Sequence, residues 1–261
     1  MSATRSASLQ SDSQDVDGSF RPGLCDSLAR PWDSYDAYLF DVDGTLLECR
    51  DAVHYYAFVA TLQMLSGRKL DLTGITAHGN TDVGILRDAL ALAGIADEAW
   101  RPRAAEARAA MCAFVEQHRA EILPVVLPGV RRTLSHLRRR GALLGVATGN
   151  LEAIGRLKLE RCGLFRHFHF GAFSDAFECR REVFLHAVAR VRELLGNQAS
   201  VCVFGDTPAD IEAAQSCGVE VIAVATGVHT REQLVAAGPN LCLSSLRHLF
   251  LAKNVPAHSS G

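Results

Sequence analysis

The chain has 261 residues, of which 48% are hydrophobic and 21% charged, an ordinary folded composition with room for one large domain or a domain plus an insert. Its formal charge of -2 excludes a global electrostatic pull toward nucleic acid or anionic membrane. No apolar run approaches the roughly 18 to 20 residues that a membrane span needs. The expected ligand is therefore small, and the oligomeric state is left open.

The first 30 residues are rich in Ser, Asp and Gln with few large apolar side chains, too little surface to offset the entropy of ordering them. They read as a disordered leader. Asp12, Asp15 and Asp17 argue against an organelle transit peptide and no secretory apolar stretch is present, so a cytoplasmic location is expected. Eight cysteines (Cys25, Cys49, Cys112, Cys162, Cys179, Cys202, Cys217 and Cys242) contain no C-x-x-C pair. They read as buried reduced thiols rather than a disulfide framework or a zinc site.

The first strand is expected over Ala37 to Phe40. From about Cys49 to Leu127 only helical patterns occur, over Ala52 to Leu65, Asp82 to Ala93 and Ala104 to Ile122, with no convincing strand. Leu127-Pro128-Gly129 then marks a return, with Pro128 suited to the first turn of the next helix. Further strands are expected over Ala142 to Thr148, His167 to Ala172, Val201 to Gly205, Val219 to Ala225 and Leu241 to Leu243, alternating with helices. Near-continuous apolar strands separated by helical crossovers predict a doubly wound α/β fold with a parallel sheet. The expected division is a core of 31–48 plus 128–252, a smaller all-helical cap of 49–127 inserted after the first strand, and a frayed tail of 253–261. In such sheets ligands bind beyond the carboxyl ends of the strands.

At the first such end stands Asp41-Val42-Asp43-Gly44-Thr45. Period-two alternation points both carboxylates the same way, so one can attack while the other handles protons. Gly44 permits a sharp turn. Asp-Val-Asp-Gly-Thr after an apolar strand resembles the first motif of the haloacid dehalogenase superfamily. Thr148-Gly149-Asn150 resembles its second motif, and Gly205-Asp206-Thr207-Pro208-Ala209-Asp210 its fourth. The position of the insert is similar to the subclass containing phosphoglycolate phosphatase.

The resemblance implies a magnesium-dependent phosphatase acting on a small phosphorylated metabolite through an aspartyl phosphate. Asp41 would be the nucleophile and Asp43 the acid and base. Asp41, the Asp43 carbonyl and Asp206 would hold Mg2+, with Asp210 a further ligand or a support for one, or simply a helix cap. Thr148, Gly149 and Asn150 would receive the phosphoryl group. His78-Gly79-Asn80-Thr81-Asp82 resembles a cap signature, leaving Asp82 divided between substrate contact and helix initiation.

The third motif departs from the pattern, because no Lys-Pro follows the third core strand. The corresponding stretch is Glu178-Cys179-Arg180-Arg181-Glu182. Lys158, about eight residues into its helix, is expected to be carried roughly 12 Å away from the edge at about 1.5 Å per residue. Arg180 is therefore the expected cation, with Arg181 the fallback. Asp15-Val16-Asp17-Gly18-Ser19 repeats the first motif without a preceding strand and is read as a solvated turn. Asp43 argues against a dehalogenase. A phosphomutase, with His54 as a candidate cap group, and a non-catalytic binding relative remain alternatives.

Overall fold

The computed structural model describes residues 28–251. Its elements, in chain order, are β1 (Ala37–Phe40), β2 (Leu47–Cys49), α1 (Val53–Ser66), α2 (Asp82–Leu92), α3 (Asp97–Trp100), α4 (Ala104–Gln117), β3 (Pro124–Val126), α5 (Val130–Arg139) and β4 (Leu143–Ala147). They continue through α6 (Glu152–Arg161), β5 (Phe170–Ala172), α7 (Arg180–Leu195), β6 (Val201–Gly205), α8 (Pro208–Ser216), β7 (Glu220–Val224), α9 (Arg231–Ala236) and β8 (Leu241–Leu243).

Six strands form one sheet in the order β5-β4-β1-β6-β7-β8, and every pairing is parallel. The chain winds outward from the centre in both directions, as a doubly wound α/β fold does. Successive residues of β1 enter opposite layers. Tyr38 and Phe40 pack with Val130, Leu134 and Leu137 of α5. Ala37 and Leu39 pack with Val183, Phe184 and Ala187 of α7. Burial on both faces explains why these strands read as nearly unbroken apolar runs. Phe40 is in register with both Val146 and Phe204, so β1, β4 and β6 end level and their next residues converge on one edge.

The α1 to α4 segment builds a third cluster around Phe58, Leu62, Leu86, Leu90, Trp100 and Met111, and Leu151, Ile154 and Leu157 of the α6 region join it. The insert is not all helical: β2 and β3, at its two ends, pair as an antiparallel two-stranded ribbon with Cys49 opposite Pro124. Three-residue strands carrying Glu48 and Pro124 offer too short a pattern for period-two reading. The long pattern expected to Ile122 ends at Gln117, followed by a 3-10 turn over Arg119–Glu121. The strand expected from His167 begins at Phe170, after a 3-10 turn over Phe165–His167. Pro128 precedes rather than enters its helix, whose N-cap is Gly129 with φ 90°.

At the start of the described chain, Leu28 packs against the core and Ala29 N–H donates to Glu220 Oε1 at 2.8 Å, so the leader's last residues are ordered. The Asp15-Val16-Asp17-Gly18-Ser19 repeat and the 253–261 tail lie outside the described residues. Cys162, Cys202 and Cys242 are buried as expected, whereas Cys179 is exposed. Among the described residues no helix is long and apolar enough to cross a membrane.

Candidate functional site

The end of β1 delivers Asp41, whose backbone N–H donates to Phe204 O at 3.0 Å, and the chain then turns at Gly44 with φ +83°. A Cβ on Gly44 would stand 2.2 Å from Asp206 Oδ2, so only glycine lets the β1 turn approach the end of β6 this closely. Thr45 Oγ1 donates to Asp206 Oδ1 at 3.2 Å, and Thr226, beyond β7, donates from Oγ1 to Gly44 O at 2.6 Å. The last contact brings the loop after β7 into the site, a part the motifs do not identify.

Asp210 sits at the third residue of α8 in a capping box with Thr207. Its Oδ2 accepts from Asp206 N, Thr207 N and Thr207 Oγ1 at 3.2, 3.1 and 2.8 Å. Its Oδ1 accepts from Arg180 Nε at 2.8 Å and Nη2 at 2.5 Å. Arg180, the first residue of α7, also meets Asp41 Oδ1 at 2.5 Å through Nη2. A buried guanidinium thus joins the end of β1 to the start of α8. Arg181, the fallback, is exposed and lines a separate groove with Glu212 and Ser216.

Ligand oxygens of Asp41, Asp206 and Asp210, all buried, lie within 4.8 Å of one another. Burial pushes the Asp41 carboxyl up to about 6, with Arg180 opposing the shift. Burial and the neighbouring Asp41 and Asp210 charges push Asp206 well above the usual carboxylate range. One arginine does not neutralise three clustered carboxylates, so the chemistry of the donor set fits a hard divalent cation. Asp41 and Asp206 are the residues suited to hold it, because Asp210 already has both oxygens engaged.

The second carboxylate of the β1 motif has a different environment. Asp43 Oδ2 accepts from Lys158 Nζ at 2.7 Å and from Asn150 Nδ2 at 2.8 Å. Desolvation pushes Asp43 up, but the Lys158 charge and the hydrogen bonds from Lys158 and Asn150 outweigh it and hold the carboxyl below its ordinary range. Contrary to the expectation that its helix carries it away from this edge, Lys158 lies within it, with its side chain 3% exposed. The straight-helix distance omits two facts. Side chains on a helix tilt toward its N-terminus, and a lysine spans about 6 Å. Moreover, α6 lies between layers, with Leu159 in the core and both Ile154 and Leu157 against the insert.

Lys158 Nζ also donates to Asn150 Oδ1 at 2.8 Å and to His54 Nδ1 at 3.2 Å. The opposite ring nitrogen of His54 faces Asp82 Oδ2 at 3.2 Å. An ammonium can only donate and a carboxylate only accept, so the partners fix the proton on Nε2. Asp82 Oδ2 accepts in addition from Leu151 N at 2.8 Å, while Asp82 N donates to Gly149 O at 2.7 Å. Thr81 caps α2 by accepting from Gly84 N at 2.9 Å, and its hydroxyl donates to Glu178 O at 2.9 Å. Asp82 therefore both opens α2 and ties the insert to the loop after β4.

Thr148 Oγ1 accepts from Asn150 Nδ2 at 2.8 Å. A Cβ on Gly149 would meet Asn80 O at 2.2 Å, so this position needs glycine for the insert to seat against the loop. The converging residues floor a cleft of about 510 Å³ between the strand ends and the insert, a size suited to a small molecule. Of the residues that the sequence singles out, Asp41, Asp43, Asp206, Thr148, Gly149, Asn150, Asp82 and Arg180 line this cleft, while Asp210 is buried behind it on Arg180. Sequence reasoning names Lys158 but sets it aside on distance, although a lysine amid the apolar residues Ile154, Leu157 and Leu159 signals a buried partner.

A family model for haloacid dehalogenase-like hydrolases matches residues 35–218. A Dickeya dadantii protein named "Probable phosphatase IndB" is 30% identical over 214 residues, covering 79% of this chain and 88% of that protein. A phosphoglycolate phosphatase of Pseudomonas syringae pv. tomato is 30% identical over 221 residues, covering 81% and 77%. The fold is similar to that of a hydrolase from Pseudomonas syringae (TM-score 0.62, 19% identity, 84% and 98% coverage). It is also similar to a beta-phosphoglucomutase from Clostridium difficile (TM-score 0.57, 20% identity, 82% and 93% coverage). With its strand-end motifs converging on one edge and the family match spanning most of its length, the chain belongs to the haloacid dehalogenase-like hydrolases.

Proposed function

We propose that the protein is a magnesium-dependent phosphatase that hydrolyses a small phosphomonoester through an aspartyl-phosphate intermediate on Asp41. The observation that carries this reading is Asp41 itself, set against Arg180 and within 4.8 Å of Asp206 and Asp210 at the floor of the cleft. The phosphatase names of the relatives support it. Phosphoryl transfer asks the protein mainly for position and charge neutralisation. Bound Mg2+, held by Asp41, the Asp43 carbonyl and Asp206, would offset charge between nucleophile and phosphate.

In the first half, Asp41 Oδ bonds to phosphorus as the ester oxygen leaves, and that oxygen takes a proton through Asp43. Asp43 is left as a carboxylate, which the Lys158 ammonium, 2.7 Å from Asp43 Oδ2, pairs with until the second half. In the second half, Asp43 takes a proton from water, the hydroxyl oxygen bonds to phosphorus, and Asp41 is released with inorganic phosphate. The carboxylate form favoured by Lys158 suits this second half. Arg180 stabilises negative charge on Asp41, and Thr148 Oγ1 with Gly149 N–H receives phosphoryl oxygens. The 49–127 insert is the cap over the cleft, with Asp82 holding it to the core rather than gripping substrate.

The test is phosphate release from a panel of phosphomonoesters by the full chain with and without Mg2+, beside Asp41→Asn. Release that needs both Mg2+ and Asp41 supports the reading. Activity unchanged in Asp41→Asn, or no release from any ester, overturns it.

A further inference from the structure

We propose that the substrate is a phosphomonoester whose alcohol part is uncharged and presents an apolar, aromatic-sized face, and that a two-carbon phosphorylated acid is discriminated against. The inference rests on the phosphatase reading and adds the class of leaving group. It starts from charge. Among the described residues, Asp41, Asp43, Glu48, Asp82 and Asp206 line the cleft with the cations Lys158 and Arg180, and the Mg2+ proposed above would offset Asp41 and Asp206 without leaving positive charge over.

Both cations are already paired with carboxylates of the site, so their charge is offset before a second anion on the substrate could meet it. Lys158 directs all three ammonium donors to Asp43, Asn150 and His54. Arg180 is committed to Asp210 and Asp41. His54 is enclosed between Lys158 and Asp82. A carboxylate beside the phosphate would meet like charge on the strand-end side and apolar side chains on the insert side, with His78 the further basic side chain in the lining and no donor pair such as arginine offers. Glu48, exposed on β2, is paired with Arg50 Nε at 3.6 Å at the rim and offers no donor of its own.

The insert side of the cleft has the opposite character. Tyr55, Phe58, Leu72, Ala77 and Ile85 face the space above the carboxylates, and Val228 closes the rim from the loop after β7. Tyr55 and Val228 are 42% and 59% exposed, so apolar surface is open to solvent until a ligand covers it. Covering it is favourable by about 25 cal/mol per Å². A volume of about 510 Å³ also exceeds what a two-carbon acid fills, whereas a ring on a short linker fills more of it.

The experiment compares kcat/KM for benzyl phosphate, 2-phosphoglycolate and the methyl ester of 2-phosphoglycolate, using the full chain with Mg2+. The ester removes the charge and adds one methyl group. We expect benzyl phosphate to exceed 2-phosphoglycolate at least tenfold and the ester to exceed its parent acid at least threefold. Tyr55→Lys, at an exposed position, should narrow the acid's disadvantage by placing a free ammonium in the cleft. Equal or better turnover of 2-phosphoglycolate than of both neutral esters overturns this inference and leaves the phosphatase reading standing. No phosphate release from any of the three overturns both.

Discussion

Lys158 Nζ lies 2.7 Å from Asp43 Oδ2 while Arg180 Nη2 lies 2.5 Å from Asp41 Oδ1, so each carboxylate of the β1 motif has its own cation. The two partners arrive from different elements, α6 and α7. Lys158→Met keeps much of the side chain's length but leaves Asp43 without its ammonium. We expect kcat to fall roughly ten- to a hundredfold, about 1.4 to 2.7 kcal/mol of barrier, with KM moving less. Steady-state kinetics on folded protein measures this, and wild-type kcat would exclude Lys158 from a part in setting Asp43.

Arg180→Ala should be the more damaging change. It strips the cation from a buried set of three carboxylates, and breaking such a pairing destabilises proteins by about 3 to 5 kcal/mol. Most activity and much thermal stability should be lost together. Arg180→Lys restores the charge without the bidentate fork and should recover part of each. Melting curves and turnover of both variants decide the matter, and a fully active Arg180→Ala would remove the guanidinium from the mechanism.

Asp41→Asn should lower turnover by more than about a thousandfold, because an amide of nearly the same shape is a poor nucleophile. Its stability should not fall in parallel. Burial already pushes the Asp41 carboxyl up to about 6, so the native site holds that charge at a disadvantage, and Arg180 retains Asp210. Circular dichroism melts beside phosphate release separate the two effects. Residual activity within about tenfold of wild type, a barrier change near 1.4 kcal/mol, would unseat Asp41 as nucleophile.

Magnesium binding can be read without turnover. A ligand that binds only the folded state raises its stability by mass action, so millimolar Mg2+ should raise the melting temperature of the wild type. Asp206→Asn removes one carboxylate from the cluster and should abolish most of that rise. An equal rise in both proteins would place the cation elsewhere.

Glu178 supplies a pH test away from the carboxylate cluster. The hydrogen bond from Arg101 is the largest influence, and with the Arg101 and Arg87 charges it holds the carboxyl below the ordinary 4.5. A lowered native value means that the contribution to stability is present above the unfolded value and is lost as pH falls through the folded one. Glu178→Gln should therefore melt lower than wild type at neutral pH, and the two curves should merge in acid once the carboxyl is protonated in both states. A constant difference at all pH values would mean that the lost contact is not ionic.

Much of this site is legible in the sequence because its parts hang on strand ends. Leu39 and Phe40 are buried from both layers, and an apolar run that stops at Asp41 announces both the strand and its carboxyl edge. Val201 to Gly205 announces Asp206 in the same way. The remainder depends on packing that the chain does not spell out locally. Lys158 is placed by the lie of α6 against the insert and by the reach of its own side chain, neither of which a residue count supplies. The β2 and β3 ribbon escapes notice because each strand has only three residues and exists through its partner.

That ribbon also determines how separable the helices beyond it are. Cys49 stands opposite Pro124, so the chain leaves and re-enters the hydrolase core through neighbouring backbone positions. A two-residue hairpin turn could bridge them without moving β1 or α5. The length of the helical segment is thus free of the constraint that the core sheet imposes. Changing what stands over the carboxylates leaves Asp41 and Asp206 on their strand ends but takes from Lys158 its His54 partner.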